Sequence, residues 1–487
     1  MIFSSIIFLF HFLPFTLAAY YIAPPRAKNT VLFICSLVFY CWGEVRFFPV
    51  MLTLILINYL CGLAIAHFEG RPGMRRLFLA LALVGSLGML FYFKYANFVL
   101  ESANALLGTR FAPIEGISVL PLGISFYTFQ TLSYTIDVYR HDVASEKNII
   151  DFGAYVVMFP QLIAGPIVKY RDVAAQLHVY KHRYNIAQIE EGMTIFTFGL
   201  AKKVLLADAV GALWTDIIGV ADDASVTFVG LANASTGLVW LGILAYSFQL
   251  YFDFSGYSMM AIGMGKMMGF EFPQNFNYPY ISASITEFWR RWHISLSSWL
   301  RDYLYISLGG NRKGRVRTYV NLLLTMLLGG LWHGAAVRFI LWGALHGVAL
   351  ALHKMWMAVV PWAKINGKDM NIVLRVAGIV LTFNLVCFGW LLFRAEDMQT
   401  VHVMLYQIFN NFNPAIIPQV VEGYKAVFAL IVLGYAMHFL PEKIDIDIRN
   451  RVVNASFWWQ VALMALTIWC VMQIKSSDIQ PFIYFQF

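Results

Sequence analysis

The stretch PVMLTLILINYLCGLAIAH, residues 49–67, decides the fold class of this protein. It contains no aspartate, glutamate, lysine or arginine, and an α-helix needs about 20 predominantly apolar residues to cross a bilayer core. Similar stretches recur along nearly the whole chain of 487 residues, of which 60% are hydrophobic and 13% charged. Soluble domains carry about 25% charged residues. The sequence therefore predicts an all-α polytopic membrane protein.

Apolar segments and basic loops together predict the topology. The candidate crossings are 1–23, 29–47, 49–67, 76–99, 117–136, 192–217, 226–252, 318–356, 372–393, 424–440 and 453–474. Basic loops near Arg26, Arg75 and Arg140 fall on one side, which the positive-inside rule assigns to the cytoplasm. Counting the candidate crossings from these cytoplasmic loops predicts that both chain ends are on the outer side. The first segment lacks a basic start, so we interpret it as a retained helix rather than a signal peptide.

Two parts of the chain depart from this pattern. Residues 151–172 are short of a full crossing and interrupted by Pro160, Gly165 and Pro166, so we expect a re-entrant hairpin buried in protein. Residues 253–317 contain no clean apolar run of crossing length. No internal repeat is visible, which weakens a transporter interpretation because many transporters carry one.

Several common site types find no support in the sequence. The five cysteines lie in apolar runs without CxxC spacing, so we expect neither a metal site nor disulfides. The tract GMGKMMG at 263–269 does not match a phosphate-binding fingerprint. Neither a G-x-S-x-G elbow nor an H-E-x-x-H zinc motif occurs. If the protein is an enzyme, histidine base chemistry is the simplest proposal.

The stretch EFWRRWHISLSSWLRDYLYISLGGNRKG, residues 287–314, separates charged from aromatic side chains at helical spacing. It predicts an amphipathic helix over 287–303 at the cytoplasmic interface. One interpretation is an anchor on anionic lipid; another is that some of its arginines bind phosphates of a soluble donor. His293 lies at the border of the apolar face and can point into the protein.

The stretch LLGGLWHGAAVRFILWGALHG, residues 327–347, places a histidine within an apolar segment interrupted by glycines. An ionisable group inside a membrane usually faces a cavity or a partner, which makes His333 a functional candidate. A histidine accepts a proton near neutral pH, so His333 is either a catalytic base or a core residue bonded to a carbonyl. Of the two histidines in this stretch, His346 has the stronger claim to a structural role.

Asp253 is an isolated carboxylate among aromatic residues. An unpaired buried carboxylate is costly, so we expect a cationic or hydrogen-bonding partner, with an arginine preferred. Asp137 and Arg140, three residues apart, are expected to form a local pair.

Five stretches of this chain resemble the membrane-bound O-acyltransferase (MBOAT) family, and within it the membrane subunits of alginate and other polysaccharide O-acetyltransferases. They are LPLGISFYTFQTLSYTIDVYR, FPQLIAGPIVKYRD, QLYFDFSGYSMMAIGMGKMMGF, SITEFWRRWHISLSSWLRDYLYISLGGNR and LLGGLWHGA. The resemblance covers nearly the whole chain. It implies one membrane domain, 1–487, with N-terminal helices at 1–136, a catalytic core at 137–356, and C-terminal helices and an aromatic tail at 357–487.

The resemblance also implies a mechanism. A helical bundle with re-entrant and interfacial helices would surround a central tunnel that acetyl-CoA enters from the cytoplasm, with His333 as base and His293 as a positioning residue. The other expected substrate or tunnel residues are Trp332, Asp253, Arg290, Arg291, Trp292 and Ser295. No metal, bound cofactor or nucleic acid is implied. The expected setting is the bacterial inner membrane, with polysaccharide export machinery and a periplasmic acetyltransferase partner.

One position departs from the family. Relatives usually carry a carboxylate after the serine of F-S-G-Y-S, and here Met259 stands in its place. This puts in doubt any contact that the carboxylate makes in relatives. The W-H-G and R-R-W-H motifs are intact, so the change does not argue for an inactive enzyme.

The chain ends in PFIYFQF, residues 481–487. Aromatic residues favour the headgroup region, which predicts an interfacial anchor. Related systems use a similar C-terminal tyrosine as an acyl relay, and the corresponding residue is Tyr484. A phenol is a weak nucleophile at its usual pKa of about 10, so Tyr484 would need a base such as His333.

Two alternatives remain open from the sequence. One keeps the fold but takes the acyl group from a carrier protein, as in D-alanylation of teichoic acid. The other is a non-enzymatic transporter or flippase, with Gly329, Gly330 and the interruption at 159–167 as hinges.

Overall fold

Helices make up all the regular structure that the computed structural model of the protein describes. The described residues are 2–117, 119–163, 165–178, 185–218, 231, 234–360 and 371–474. No β-strand occurs among them, so the predicted all-α fold class is confirmed. By internal packing the chain divides into two units, Met1–Phe196 with Tyr257–Gln274 and Thr197–Gly256 with Asn275–Phe487. The division of one domain at residues 136 and 356 stays a prediction.

The first unit contains ten α-helices in the part of the chain that is described. They are α1 Leu13–Ile22, α2 Lys28–Gly43, α3 Phe48–His67, α4 Pro72–Lys94, α5 Ala96–Leu107, α6 Ile124–Arg140, α7 Ile149–Val157, α8 Phe159–Leu162, α9 Tyr170–His178 and α10 Ile186–Ala201, which continues into the second unit. α3 packs against α4 and α6, and α2 packs against α7. The stretch that opened the sequence analysis is thus a helix within this packed group.

The second unit contains the remaining helices that the structure describes. They are α11 Ala209–Ile218, α12 Thr236–Met267, α13 Ile285–Arg291, α14 Ile294–Trp299, α15 Arg315–His333, α16 Val337–Val359, α17 Ile372–Arg394, α18 Met398–Asn410, α19 Ile417–Gly423, α20 Lys425–Phe439, α21 Glu442–Val453 and α22 Phe457–Ile474; the C-terminal part of α12 belongs to the first unit. Wider π-helical turns occur at Lys202–Asp208 and Leu300–Tyr305.

Four helices in the described ranges, α3, α4, α12 and α17, are long and apolar enough to cross a membrane. Two sharply bent pairs, Pro414–Gly423 with Lys425–Phe439 and Ile446–Val453 with Phe457–Gln473, raise the number to six if each is one broken span. These helices support a multi-pass membrane protein. The prediction that an apolar segment ends at residue 252 is wrong, because α12 continues to Met267 on buried residues such as Phe254 and Met264.

The segment predicted to be re-entrant is short, broken and buried. α7 ends at Val157, Met158 leaves the helical conformation with φ −47° and ψ 110°, and α8 is a single turn of four residues. Pro160 is the second residue of α8, and because it lacks an N–H it cannot continue the hydrogen bonding of α7. All described residues from 151 to 170 are buried. Backbone of this kind survives at membrane depth only where protein surrounds it.

The predicted span at 318–356 consists of two helices, α15 and α16, which pack tightly against each other as a hairpin. Glycines allow this close approach. A Cβ on Gly330 would overlap the backbone oxygen of Phe339, and a Cβ on Gly343 would overlap that of Met326. The short connection after α15 places His333 at the tip of the hairpin.

Candidate functional site

His293 lies where the predicted amphipathic helix breaks. The sequence predicts one helix over 287–303, but α13 ends at Arg291 and α14 begins at Ile294. Trp292 is extended, and His293 has φ 42° and ψ 55°, in the left-handed region. A residue other than glycine held there costs of order 1–3 kcal/mol, which the surrounding structure must offset. The prediction of a continuous helix is therefore wrong.

Residues 275–277 offset this cost by hydrogen-bonding to both sides of the break. The N–H of Ile294 donates to the carbonyl oxygen of Asn275 at 2.9 Å. The N–H of Asn277 donates to the carbonyl oxygen of Arg291 at 2.9 Å. Both groups belong to helix ends, which lack partners within their own helix. Residues 275–277 therefore stabilise the break between α13 and α14 on both of its sides.

The side chain of Asn275 fixes the tautomer of His293. Its Oδ1 accepts from the backbone N–H of Ser295 at 3.1 Å and from the hydroxyl of Ser295 at 2.9 Å. The same oxygen lies 3.1 Å from His293 Nδ1. An amide oxygen only accepts, so Nδ1 carries the proton and Nε2 has a bare lone pair.

The environment of His293 keeps the imidazole neutral. The side chain is 0% exposed, and Phe254 and Phe276 contact its ring. Burial lowers the pKa of His293 to about 3, so the ring carries no charge at physiological pH. Nε2 has no hydrogen-bond partner among the described residues. It is therefore a buried acceptor available to a ligand.

The second predicted histidine lies close by. His333 is mostly buried, and its ring contacts Trp342 and Phe393, each with centroids 5.1 Å apart. The indole of Trp332 is near both histidines, with its centroid 5.0 Å from the ring of His333 and 6.4 Å from that of His293. The fold thus brings two histidines, 40 residues apart in sequence, close to one indole.

The other predicted residues divide into two groups. Ser295 and Trp292 belong to the setting of His293, since Ser295 bonds Asn275 and Trp292 is buried against Phe276 with ring centroids 5.1 Å apart. Arg290 is exposed on α13. Arg291 forms an ion pair at 2.9 Å with Glu287, which lies one turn earlier on the same helix.

Asp253 has a cationic partner, but a lysine rather than the expected arginine. Lys203 Nζ lies 3.0 Å from Asp253 and 2.6 Å from Asp208. The side chains of Lys203 and Asp253 are 1% and 2% exposed. The π-helical turn over Lys202–Asp208 brings Lys203 and Asp208 together. Sequence reasoning missed this lysine, although two adjacent lysines inside an apolar segment were a visible signal.

A group of potential metal ligands occurs in the first unit. Ligand atoms of Glu146, Asp151 and His178 lie within 4.8 Å of one another. Both Asp151 oxygens accept side-chain amide N–H groups, from Asn29 at 2.9 Å and Asn148 at 3.0 Å. Glu146 Oε2 lies 2.8 Å from His178 Nε2. These contacts account for the group as a hydrogen-bonded network, and the absence of a metal site stays a prediction.

Two further positions singled out in the sequence are Tyr484 and Met259. Tyr484 and the rest of PFIYFQF lie outside the described residues. Met259, which replaces the family's usual carboxylate, is half-buried on α12.

Comparisons with known proteins identify the family of this chain. The sequence profile of the MBOAT, membrane-bound O-acyltransferase family, matches residues 37–392, which include both histidines. The probable alginate O-acetylase AlgI of Pseudomonas aeruginosa is 49% identical over 414 residues, covering 84% of this chain and 75% of that protein. The protein of the same name from Azotobacter vinelandii is 41% identical, with 100% of both chains covered.

A more distant relative acts on another polymer. The peptidoglycan O-acetyltransferase of Helicobacter pylori is 36% identical over 430 residues, covering 82% of this chain and 78% of that protein. The extent of the profile match and the level of identity show that this chain belongs to the membrane-bound O-acyltransferase family.

Proposed function

We propose that this protein transfers acetyl groups from cytoplasmic acetyl-CoA to an exported polysaccharide of alginate or cellulose type. The observation that carries the proposal is the pair of buried histidines around Trp332, one of them with a fixed, unprotonated Nε2. Relatives named alginate O-acetylase and peptidoglycan O-acetyltransferase support acetyl transfer. The proposed location is the bacterial inner membrane, with a tunnel leading from the cytoplasm to the outer face.

We assign the two histidines different roles. His333 takes the proton from the attacking hydroxyl, which forms an ester bond to the acetyl carbon while the C–S bond breaks. The proton then passes to the CoA thiolate. His293 accepts a hydrogen bond from substrate through Nε2, and so holds the substrate without changing its own charge. General base catalysis of this kind contributes about 10²–10⁴-fold in rate.

We further propose that Tyr484 receives the acetyl group before a periplasmic partner transfers it to sugar. Purified protein incubated with isotope-labelled acetyl-CoA should release CoA and carry label on Tyr484, as peptide mass spectrometry would report. Tyr484→Phe should release less CoA and carry no label there. Tyr406→Phe, which alters an exposed tyrosine of α18, is the matched control.

The outcomes separate the possible donors. Full polymer acetylation by Tyr484→Phe would exclude the relay while leaving acetyl transfer intact. If the parent protein does not react with acetyl-CoA but accepts an acyl group from a carrier-protein thioester, the donor is an acylated carrier protein. Movement of an intact solute without consumption of either thioester would identify a transporter.

Asn275 offers a test of the role assigned to His293. Asn275→Ala removes the acceptor for Nδ1–H, and we expect kcat to fall at least tenfold because the ring loses its fixed tautomer. Asn275→Asp keeps an acceptor but adds a negative charge, which favours protonated imidazole and should move the acid limb of the kcat–pH profile to higher pH. A merely structural Asn275 would leave the shape of the profile unchanged in both variants.

A further inference from the structure

Two buried N–H groups lie on neighbouring side chains beside the candidate site. Trp342 and His346 lie one turn apart on α16, with side chains 1% and 0% exposed. Their rings are in contact, with centroids 4.7 Å apart. The proposed roles of His293 and His333 use neither of these side chains.

The hydrogen-bond pattern determines which nitrogen of His346 carries a proton. Trp289 Nε1 lies 3.3 Å from His346 Nδ1. An indole N–H only donates, so Nδ1 must accept, and in a neutral imidazole the proton is then on Nε2. His346 therefore presents an N–H at Nε2, the opposite arrangement to His293.

Neither of these two N–H groups has an acceptor in the part of the chain that the structure describes. This holds for His346 Nε2 and for Trp342 Nε1. Buried donors in folded proteins are nearly always bonded, and each exception requires an explanation. Since both groups only donate, a ligand atom that satisfies them must be an acceptor.

Gly389 on α17 shows that the two donors converge. A Cβ at this residue would lie 3.0 Å from His346 Nε2 and 3.4 Å from Trp342 Nε1. Both nitrogens therefore lie close to the same side of the Gly389 backbone. A Cβ at this residue would crowd both donors, and glycine avoids that contact.

The donor pair adjoins the proposed base. The indole of Trp342 contacts the ring of His333, with centroids 5.1 Å apart, and also contacts the ring of His346. An acyl group that reacts at His333 would thus lie near two fixed, neutral donors. Donors held in a buried site stabilise negative charge more strongly than the same donors in water.

We propose that Trp342 Nε1–H and His346 Nε2–H form a binding site for the carbonyl oxygen of the acyl thioester. This inference rests on the proposed function. When the hydroxyl oxygen bonds to the acyl carbon, an electron pair of the carbonyl moves onto its oxygen, which accepts both hydrogen bonds. The pair returns as the C–S bond breaks and CoA thiolate leaves, taking the proton from His333.

Two variants test this site in different ways. Trp342→Phe keeps an aromatic ring but removes one donor. Gly389→Ala keeps both donors and places a methyl group against them. Removing one donor to an oxyanion typically lowers kcat by about 10²–10³, and we expect a loss of about a hundredfold in each variant. Gly88→Ala is the control, since a Cβ there meets nothing within 4 Å on a helix of the first unit.

Single-turnover release of CoA from labelled acetyl-CoA gives the rate, and thermal melting in detergent reports the fold. A second readout separates carbonyl recognition from packing. S-ethyl-CoA lacks the carbonyl, whereas acetonyl-dethia-CoA, with a CH₂ group in place of the thioester sulfur, keeps it. The parent should bind the ketone more tightly, and both variants should lose this preference.

The outcomes are distinct. Variants that melt at a lower temperature but keep the parental rate and the parental preference would overturn the carbonyl site, leaving the cluster as packing alone. A parent that consumes no acetyl-CoA would overturn the proposed function itself, and with it this inference.

Discussion

His333→Ala is expected to lower kcat for acetyl transfer by about 10²–10⁴, the contribution of a positioned general base. The substitution removes the imidazole that we assign to proton removal from the attacking hydroxyl. His333 lies at the tip of the α15–α16 hairpin, and its alanine variant keeps the glycine contacts that hold the two helices together. Release of CoA from labelled acetyl-CoA, with acetylated product quantified in parallel, measures the effect.

His402→Ala is the matched control, because His402 is exposed on α18. It should retain the parental rate. Equal CoA release and acetyl transfer by parent and His333→Ala would rule out the role assigned to His333. His293→Ala adds a comparison. Loss of a positioning residue should raise KM as well as lower kcat, whereas loss of the base should act mainly on kcat.

Lys203→Met is expected to lower the free energy of unfolding by about 3–5 kcal/mol, the range for breaking a buried ion pair by removing one partner. Lys203 is the cation between Asp253 and Asp208, and its own side chain is 1% exposed. Without it, two carboxylates remain buried near each other. Thermal melting in detergent, together with yield of folded protein, measures the loss.

Two further variants make this expectation specific. Lys425→Met breaks an ion pair with Glu422 whose side chains are 74% and 77% exposed, and exposed pairs contribute only about 0–1 kcal/mol. The triple variant Lys203→Met, Asp208→Asn, Asp253→Asn removes the charges together and should recover part of the stability. A Lys203→Met protein as stable as the parent would show that the buried carboxylates do not depend on this lysine.

The sequence predicted the parts of the structure that depend on local composition. Apolar run length predicted α3, α4 and α17 as helices long and apolar enough to cross a membrane, because bilayer thickness sets helix length. Proline and glycine around residue 160 identified the broken segment at α7 and α8. The motifs around His293 and His333 singled out two histidines that both lie near Trp332, and their catalytic roles stay predictions.

Features that depend on distant parts of the chain were not predictable in this way. The helical pattern is continuous across His293, and only its bonds to Asn275, 18 positions earlier, show that the helix breaks. Lys203 pairs with Asp253 across 50 positions, so neither residue identifies the other in the sequence. The meeting of Trp342 and His346 at Gly389 is likewise a property of two packed helices.

The break at His293 also limits how this protein can be recombined with its relatives. Residues 275–277 and the segment from Arg291 to Ser295 share their hydrogen bonds, so neither keeps its shape alone. A chimera that exchanged only the R-R-W-H stretch would leave the new imidazole without its matching loop. For a hybrid acyltransferase, residues 275–295 are therefore the smallest piece that can be exchanged as a unit.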